Sequence, residues 1–297
     1  MYIRVNDVDL FASAEGDEKA PLILALHGSR GTSDHVSDFA VFKMLGDQFR
    51  VVAYDQRGFG RSQPGHEISA DRLVDDLEEV RLQLAGNRPA IVIGFSYGGI
   101  IALKHALCHP GAVSHLVLIG CPLSHHFEET ALSEFKRRCA VDAPAASVTM
   151  VEKMLRRGFD SEIECRIVQF ALCGLYNPGI SPEKALAWAA DPSRKVDIEV
   201  HKRLWMGDKY DARPLLSKLQ AKLLAISGEL DWLVPPSCAE ELRALVPNAR
   251  YVVVPGVGHS CHREVQDAVL KEIREFLIPQ PQSHFGARNT DGRTDRL

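Results

Sequence analysis

Short runs of uninterrupted apolar residues constrain the fold of this chain more than any other feature. They have the length of strands, and they alternate with segments whose apolar residues recur at helical spacing. A strand that is apolar on both faces is covered on both sides, as in a parallel sheet with crossover helices. The runs are residues 22–26, 51–54, 90–93, 116–119, 223–226 and 251–254. They predict an α/β fold with a mostly parallel sheet flanked by helices. Two opening strands, in residues 1–5 and 9–14, are expected to precede it as a hairpin.

The pattern changes between residues 122 and 206, where strand-like runs stop and helix signals follow one another. Ser147 can cap a helix that ends at Gly158, and Ser181-Pro182 can open another. We therefore predict a core of residues 1–121 and 207–278, interrupted by a helical cap of residues 122–206. Residues 279–297 have almost no apolar side chains, which predicts a disordered tail.

Composition excludes several classes of partner. The chain of 297 residues is 45% hydrophobic and carries a formal net charge of -4, so it has no broad basic field for nucleic acid. Its start lacks the apolar run of a secretory signal, and no stretch of about 18 apolar residues could span a membrane. A cytoplasmic protein that acts on a small molecule is expected. Its oligomeric state is left open.

The seven cysteines are an odd number without C-x-x-C spacing, which favours packed thiols in a reducing compartment. Cys261 stands two residues after His259 and is therefore an alternative nucleophile. No activating context surrounds it in the sequence.

The strongest local motif is Gly94-Phe95-Ser96-Tyr97-Gly98-Gly99, between a predicted strand and a predicted helix. A serine at such a sharp turn takes a strained backbone, its hydroxyl projects into a cleft, and glycines let the neighbouring chain pack closely. We predict Ser96 as a nucleophile.

A serine hydroxyl needs a base within hydrogen-bonding reach, and the base needs an acid to orient it. Asp231 and His259 each follow a predicted strand in the C-terminal part, and parallel sheets gather catalytic groups at the carboxyl ends of their strands. We predict His259 as general base and Asp231 as the orienting acid.

Other acids and histidines compete for these roles. Glu229 lies in the same loop as Asp231, but Asp231 is the better candidate. His262 lacks the preceding glycine turn, and His125 and His126 lie in the predicted cap. We expect these three histidines to be surface or pocket residues.

Acyl transfer also needs donors aimed at the developing oxyanion. The backbone N–H of Tyr97 should supply one, and that of Ser29, with Gly28 as the alternative, should supply the other. His27 is expected to be a structural hydrogen-bonding residue. Phe95 and Trp232 are predicted to line the substrate pocket, and the chemistry calls for no metal or organic cofactor.

These motifs stand in the order found in the α/β-hydrolase superfamily, which the chain resembles over residues 1–121 and 207–278. The resemblance includes the block from Asp55 to Ser62, whose Arg57 and Ser62 are expected to brace loops. It implies an α/β-hydrolase fold with an inserted cap and a Ser-His-Asp triad. The Tyr54 to Gly58 segment and the large insertion are similar to proline-iminopeptidase-like hydrolases, but the glycine-proline oxyanion turn of those peptidases is absent.

The resemblance implies hydrolysis of a small ester, lactone, thioester or amide through an acyl-serine intermediate. Three alternatives remain open at the level of sequence. The first is a proline-iminopeptidase-like aminopeptidase, and the second is a receptor that keeps the triad but turns over little. The third is a lyase that uses the triad for proton transfer. Dehalogenases and epoxide hydrolases of this fold use an aspartate nucleophile, whereas position 96 is serine.

Overall fold

The computed structural model describes residues 1–205 and 210–278. Its centre is an eight-stranded sheet with the order β1-β2-β4-β3-β5-β6-β7-β8. The strands are Tyr2–Val5 (β1), Val8–Glu15 (β2), Leu22–Leu26 (β3), Arg50–Tyr54 (β4), Ala90–Phe95 (β5), Val113–Ile119 (β6), Lys222–Gly228 (β7) and Arg250–Val254 (β8).

The first two strands form the predicted hairpin, and β2 also pairs antiparallel with β4. All remaining pairs, from β4 through β3, β5, β6 and β7 to β8, are parallel. The sheet is therefore mostly parallel, as the apolar runs predicted. The carboxyl ends of β3, β5, β6, β7 and β8 all meet at one edge.

Helices connect these strands and cover both faces of the sheet. They are Val36–Phe42 (α1), Ala70–Ala85 (α2), Tyr97–Cys108 (α3), Phe127–Asp142 (α4), Val148–Glu152 (α5), Glu162–Tyr176 (α6), Pro182–Ala190 (α7), Ile198–Trp205 (α8), Pro236–Leu245 (α9), Cys261–Glu264 (α10) and Gln266–Leu277 (α11). A π-helical turn, Lys153–Arg157, continues α5, and 3-10 helices cover Lys43–Leu45 and Arg213–Lys218.

Alternate residues of the buried strands supply two separate cores. Leu24 of β3 packs on the face covered by α2 and α3, whereas its neighbour Ile23 packs on the face covered by α1 and α11. Every residue of β3 is buried. This explains why the sequence of the strand is continuously apolar and does not alternate between apolar and polar residues.

The helices α4 to α8 lie between β6 and β7. Ser147 and Ser181 accept backbone hydrogen bonds at the starts of α5 and α7, and Gly158 ends the π-helical turn with φ 75°. These positions are where the sequence predicted helix boundaries.

The chain enters and leaves this insertion at one place. Ser124 and Asp211 form an antiparallel bridge, and Ala212 N donates to Leu123 O at 2.9 Å. The insertion has a core of its own, which includes Phe135, Leu155 and Leu172. The predicted boundary at residues 206 and 207 and the predicted tail, 279–297, lie outside the described residues.

The loop after β4 is braced from within. Arg57 is fully buried and donates to both carboxylate oxygens of Asp76, and its third nitrogen donates to Asp7 at 2.7 Å. Ser62 donates to Asp55 O and accepts from Phe11 N. Both side chains therefore hold the loop, as expected. Over residues 1–205 and 210–278, no helix is long and apolar enough to cross a membrane.

Candidate active site

Ser96 sits at the sharp turn between β5 and α3. Its backbone has φ 51° and ψ -117°, a conformation that costs a non-glycine residue energy. A Cβ on Gly94 would come within 2.6 Å of Gly98 O, and a Cβ on Gly98 within 2.5 Å of His27 O. Glycine at position 94 therefore lets the turn close on itself, and glycine at position 98 lets it pack against the end of β3.

The structure brings Ser96, His259 and Asp231 together from three loops at the carboxyl edge of the sheet. Ser96 Oγ lies 3.0 Å from His259 Nε2, and His259 Nδ1 lies 2.8 Å from Asp231 Oδ2. The other carboxylate oxygen of Asp231 accepts the backbone N–H groups of Leu233 and Val234, both at 2.9 Å. The acid is thus fixed by its own loop while it orients the imidazole.

Burial differs along this chain of hydrogen bonds. Asp231 and His259 are 2% and 3% exposed, whereas Ser96 is partly exposed to a cavity. Rings cover the imidazole, with the centroid of Phe95 at 5.0 Å and that of Tyr176 at 5.6 Å. Low solvent access strengthens the electrostatic interaction between the imidazole and the carboxylate.

The loop that carries His259 has a second carboxylate support. Glu264 Oε1 accepts the N–H of Gly258, the residue before the histidine, at 3.0 Å. Burial raises the pKa of Glu264. Glu264 could not be predicted from the sequence, because an acid in the first turn of a short helix has no distinctive spacing.

The two predicted oxyanion donors belong to the helix that follows Ser96 and to the loop that follows β3. Tyr97 begins α3, where amides have no carbonyl partner within the helix. Ser29 has φ 71°, and its hydroxyl bonds with that of Thr32. A Cβ on Gly28 would lie 3.1 Å from Ser96 Cβ, so this loop runs directly beside the serine.

A cavity of about 880 Å³ opens in front of Ser96 and lies between the sheet edge and the insertion. Phe95 lines it, and so do Ser29, Tyr97 and His259. The insertion adds apolar and aromatic side chains, among them Phe127, Met154, Leu155, Phe159, Tyr176, Ile180 and Trp188, and polar ones such as Gln169, Asn177, Asp191, Arg194 and Lys195. The folded insertion therefore sets the position of much of the cavity wall.

The expectation for Trp232 needs correction. This residue is fully buried, is not part of the cavity wall, and packs between Phe135 and Tyr176. Its loop neighbours Leu233 and Val234 line the cavity instead. Trp232 therefore joins the Asp231 loop to the core of the insertion.

The prediction for His262 is also wrong, since this histidine is neither a surface nor a pocket residue. It is 0% exposed, stacks on Phe42, and donates to Asp38 at 2.6 Å. His126 is exposed and His125 partly exposed, which agrees with the expectation for those two.

Three further residues named in the sequence analysis can be judged from their surroundings. Cys261 is fully buried, and burial raises the pKa of its thiol to about 12, so a thiolate nucleophile is not formed near neutral pH. His27 is buried, donates to Gly28 O and accepts from Gln56 N, and burial lowers its pKa. Glu229 accepts from Gly256 N and does not contact His259.

Residues 21–264 match the family model of the alpha/beta hydrolase fold, and the chain belongs to this family of hydrolases. It is 33% identical to the proline iminopeptidase PfmaB of Pestalotiopsis fici, across 93% of this chain and 98% of that one. It is 28% identical to the putative carbamate hydrolase RutD of Cronobacter turicensis, across 82% and 85% of the two chains. The enol-lactonase of Burkholderia xenovorans LB400 superimposes with a TM-score of 0.66 at 24% identity, covering 93% and 99% of the two chains, which shows a common fold.

Proposed function

We propose that this chain is a serine hydrolase that cleaves a small ester, lactone, thioester or amide through an acyl-Ser96 intermediate. One observation carries the proposal. Ser96 Oγ, His259 and Asp231 form a continuous hydrogen-bonded chain that ends at a cavity large enough for a small organic substrate.

The geometry supports proton transfer from Ser96 to His259 and from there to the leaving group. His259 Nε2 takes the proton of Ser96 Oγ as that oxygen attacks the carbonyl carbon, and Asp231 stabilises the imidazolium through Nδ1–H. The imidazolium then gives the proton to the leaving alcohol, thiol or amine. A water molecule, activated by the same imidazole, hydrolyses the acyl-serine and restores the free enzyme.

The oxyanion that forms in both steps would be stabilised by the N–H groups of Tyr97 and Ser29. Both are backbone donors, one at the start of α3 and one on the loop beside Ser96, so they need no reorganisation as charge develops. Ser29 and Ser96 both have positive φ. Strained backbone conformations are frequent at functional sites, so these values support a role of the two segments in binding the oxyanion.

A proline-iminopeptidase-like aminopeptidase is the second candidate, favoured by the likeness to PfmaB. Such an enzyme needs a carboxylate inside the pocket to bind the free ammonium group of its substrate. Three acids line the described part of the cavity, and each already accepts hydrogen bonds. Asp34 accepts from Val36 N, and Asp191 accepts from the backbone and the hydroxyl of Ser193.

Asp55, the third of these acids, accepts from His35 twice and from Arg61 N. Three acids of the insertion are paired with bases: Glu134 with Arg137, Glu128 with Arg156, and Glu164 with Lys153. These pairings disfavour an ammonium site and support esters as the better substrates.

The test compares kcat/KM for acetyl and butyryl aryl esters with kcat/KM for prolyl and alanyl arylamides, with Ser96→Ala as the blank. We expect the esters to be preferred and to turn over repeatedly. A prolyl arylamide preferred by more than about tenfold, roughly 1.4 kcal/mol, would establish the aminopeptidase instead. A single burst followed by retained product would indicate a receptor.

A further inference from the structure

Two hydrogen-bond donors in the wall of the catalytic cavity are directed at sulfur atoms. The hydroxyl of Tyr176 donates to Met154 Sδ at 3.3 Å, and the side-chain amide of Asn177 donates to Cys173 Sγ at 3.7 Å. All four residues belong to the insertion and line the cavity. Sulfur is a weak hydrogen-bond acceptor. Each donor would therefore form a stronger hydrogen bond with an oxygen atom of a bound substrate.

Tyr176, the last residue of α6, lies against the predicted general base. The ring centroids of Tyr176 and His259 are 5.6 Å apart, with an angle of 72° between the ring planes. A Cβ on Gly258, the residue before the histidine, would come within 2.4 Å of Tyr176 O. The end of α6 is thus in direct contact with the loop that carries His259. A substrate placed at Ser96 therefore lies in the same part of the cavity as Tyr176.

The ring of Tyr176 is held between two buried side chains. Its centroid lies 5.4 Å from that of Trp232, and the two ring planes are almost perpendicular at 89°. Trp232 is fully buried and His259 is 3% exposed, so neither neighbour can move away into solvent. The hydroxyl is therefore preorganised, and a substrate that accepts its hydrogen bond has little side-chain entropy to remove.

The surroundings of Tyr176 keep its hydroxyl a donor. Burial raises the pKa of Tyr176, so the hydroxyl remains protonated near neutral pH. Phe127, Leu155 and Phe159 line the same cavity and are hydrocarbon side chains without an acceptor atom. A polar group among apolar side chains gains more from a good acceptor than a polar group in water does.

We propose that Tyr176 and Asn177 form a donor subsite of the catalytic cavity that binds an oxygen atom of the substrate near the scissile bond. The preferred substrates are then esters with an ether, carbonyl or hydroxyl oxygen at that position, in preference to esters of plain hydrocarbon groups. On binding, the hydroxyl of Tyr176 exchanges Met154 Sδ for the substrate oxygen. The kinetic part of this proposal rests on the proposed hydrolase function, whereas the subsite itself can be tested by binding.

The kinetic experiment uses two pairs of esters in which an oxygen atom replaces a methylene group at nearly constant shape. The acyl-side pair is 4-nitrophenyl methoxyacetate and 4-nitrophenyl butyrate, and the alcohol-side pair is 3-methoxyphenyl acetate and 3-ethylphenyl acetate. The oxygen also changes the intrinsic reactivity of the ester. The measured quantity is therefore the oxygen-to-methylene ratio of kcat/KM within each protein, compared between proteins.

Tyr176→Phe removes the hydroxyl and keeps the ring beside His259. We expect it to lower the ratio for at least one pair by about threefold to tenfold, mainly through KM, as the loss of one neutral hydrogen bond predicts. Asn177→Ala should lower the same ratio, and it also serves if Tyr176→Phe does not fold. A lowered ratio in only one of the two variants would assign the hydrogen bond to that residue.

The matched control is Tyr2→Phe, which removes the hydroxyl of an exposed tyrosine on β1 and keeps its ring contact with Phe11. Both ratios should be unchanged in this variant. Equal ratios for both pairs in wild type, Tyr176→Phe and Asn177→Ala would overturn the proposal. A ratio that falls equally in Tyr2→Phe and Tyr176→Phe would also contradict it, because the effect would then not depend on the cavity.

A binding experiment distinguishes failure of the subsite from failure of the hydrolase proposal. Calorimetry with Ser96→Ala protein compares phenyl methoxyacetate with phenyl butyrate, and 3-methoxyphenyl acetate with 3-ethylphenyl acetate. We expect the added change Tyr176→Phe to weaken binding of the oxygen-bearing member of one pair more than that of its partner. This result without turnover of any ester would support the subsite and refute only the hydrolase. Ester turnover without any dependence of these ratios on Tyr176 or Asn177 would refute only the subsite.

Discussion

Gly120 lies so close to His259 that a Cβ at position 120 would come within 3.0 Å of Cε1 and 3.1 Å of Nδ1 of the imidazole. The glycine follows β6 and has φ 52°. Its missing side chain leaves room for the histidine to sit between Asp231 and Ser96. The end of β6 therefore shapes the site although it contributes no functional group.

Gly120→Ala is expected to lower kcat/KM by about tenfold to hundredfold, because a displaced imidazole loses its alignment with Ser96 Oγ. The measurement is aryl-ester turnover together with the rate of labelling by an organophosphonate. Gly86→Ala is the matched control. Gly86 also has positive φ, 60°, but a Cβ there meets nothing within 4 Å, so this variant should lose stability and keep its rate. Equal losses of activity in the two variants would show that backbone strain, and not the contact with His259, is responsible.

Asp231→Asn should reduce kcat by about 10⁴-fold while the fold is retained. The amide oxygen can still accept from Leu233 and Val234, but the amide nitrogen would then face His259 and favour the wrong tautomer. Glu229→Gln, in the same loop, should change kcat little because Glu229 supports Gly256. A decrease in kcat of less than tenfold in Asp231→Asn would show that Asp231 is not the acid of the proposed triad.

Asp38→Ala is expected to destabilise the protein by about 3 to 5 kcal/mol, because the change removes a buried carboxylate and leaves the fully buried His262 without its acceptor. Burial alone would raise the pKa of Asp38, but Arg263 and His262 outweigh it and hold the pKa well below its usual range. Urea unfolding measures the change. Asp47→Ala breaks the exposed pair with Arg274 and should cost only about 0 to 1 kcal/mol. Similar losses of unfolding free energy in both variants would contradict a larger contribution of the interactions of Asp38 with His262 and Arg263.

The ion pair of Asp211 with Arg213, at the exit of the insertion, should stabilise the fold in a pH-dependent way. Hydrogen bonds from Arg213 lower the pKa of Asp211 from 3.8 to about 2. Between these values the unfolded chain binds more protons, so the stabilisation is complete above about pH 4 and is lost as the pH falls toward 2. Because the side chains are partly exposed, the effect should be about 1 kcal/mol or less.

Unfolding of wild type and Asp211→Asn in urea at pH 6 and pH 3 tests this expectation. The difference between the two proteins should shrink at pH 3. Asp267→Asn, at an exposed acid of α11, should show no such trend. A difference that grows on acidification would contradict the sign derived from the pKa.

Local patterns predicted much of this molecule. Apolar runs identified the strands because β3 and its neighbours are buried on both faces, and glycine and serine signals identified Ser96 and the helix starts. Asp231 and His259 could be selected because both follow parallel strands, whose ends meet at one edge. Residues that directly follow a parallel strand can thus be placed near one another from the sequence.

The environment of a residue could not be predicted where it is formed by segments distant in the sequence. Trp232 is covered by α4 and α6, and His262 is enclosed by α1, so their burial depends on tertiary packing. Arg30 and Tyr176 face the cavity only because the insertion folds over the sheet edge. No periodicity in the chain encodes these contacts.

Mass spectrometry of the covalent adduct tests the proposed nucleophile most directly. The intact protein is incubated with an aryl phosphonate and with a slowly deacylating ester, and the modified peptide is sequenced. We predict a single adduct on Ser96 whose formation stops with Ser96→Ala and tracks the loss of turnover. Labelling at another residue such as Cys261, or undiminished turnover in Ser96→Ala, would contradict the proposed mechanism.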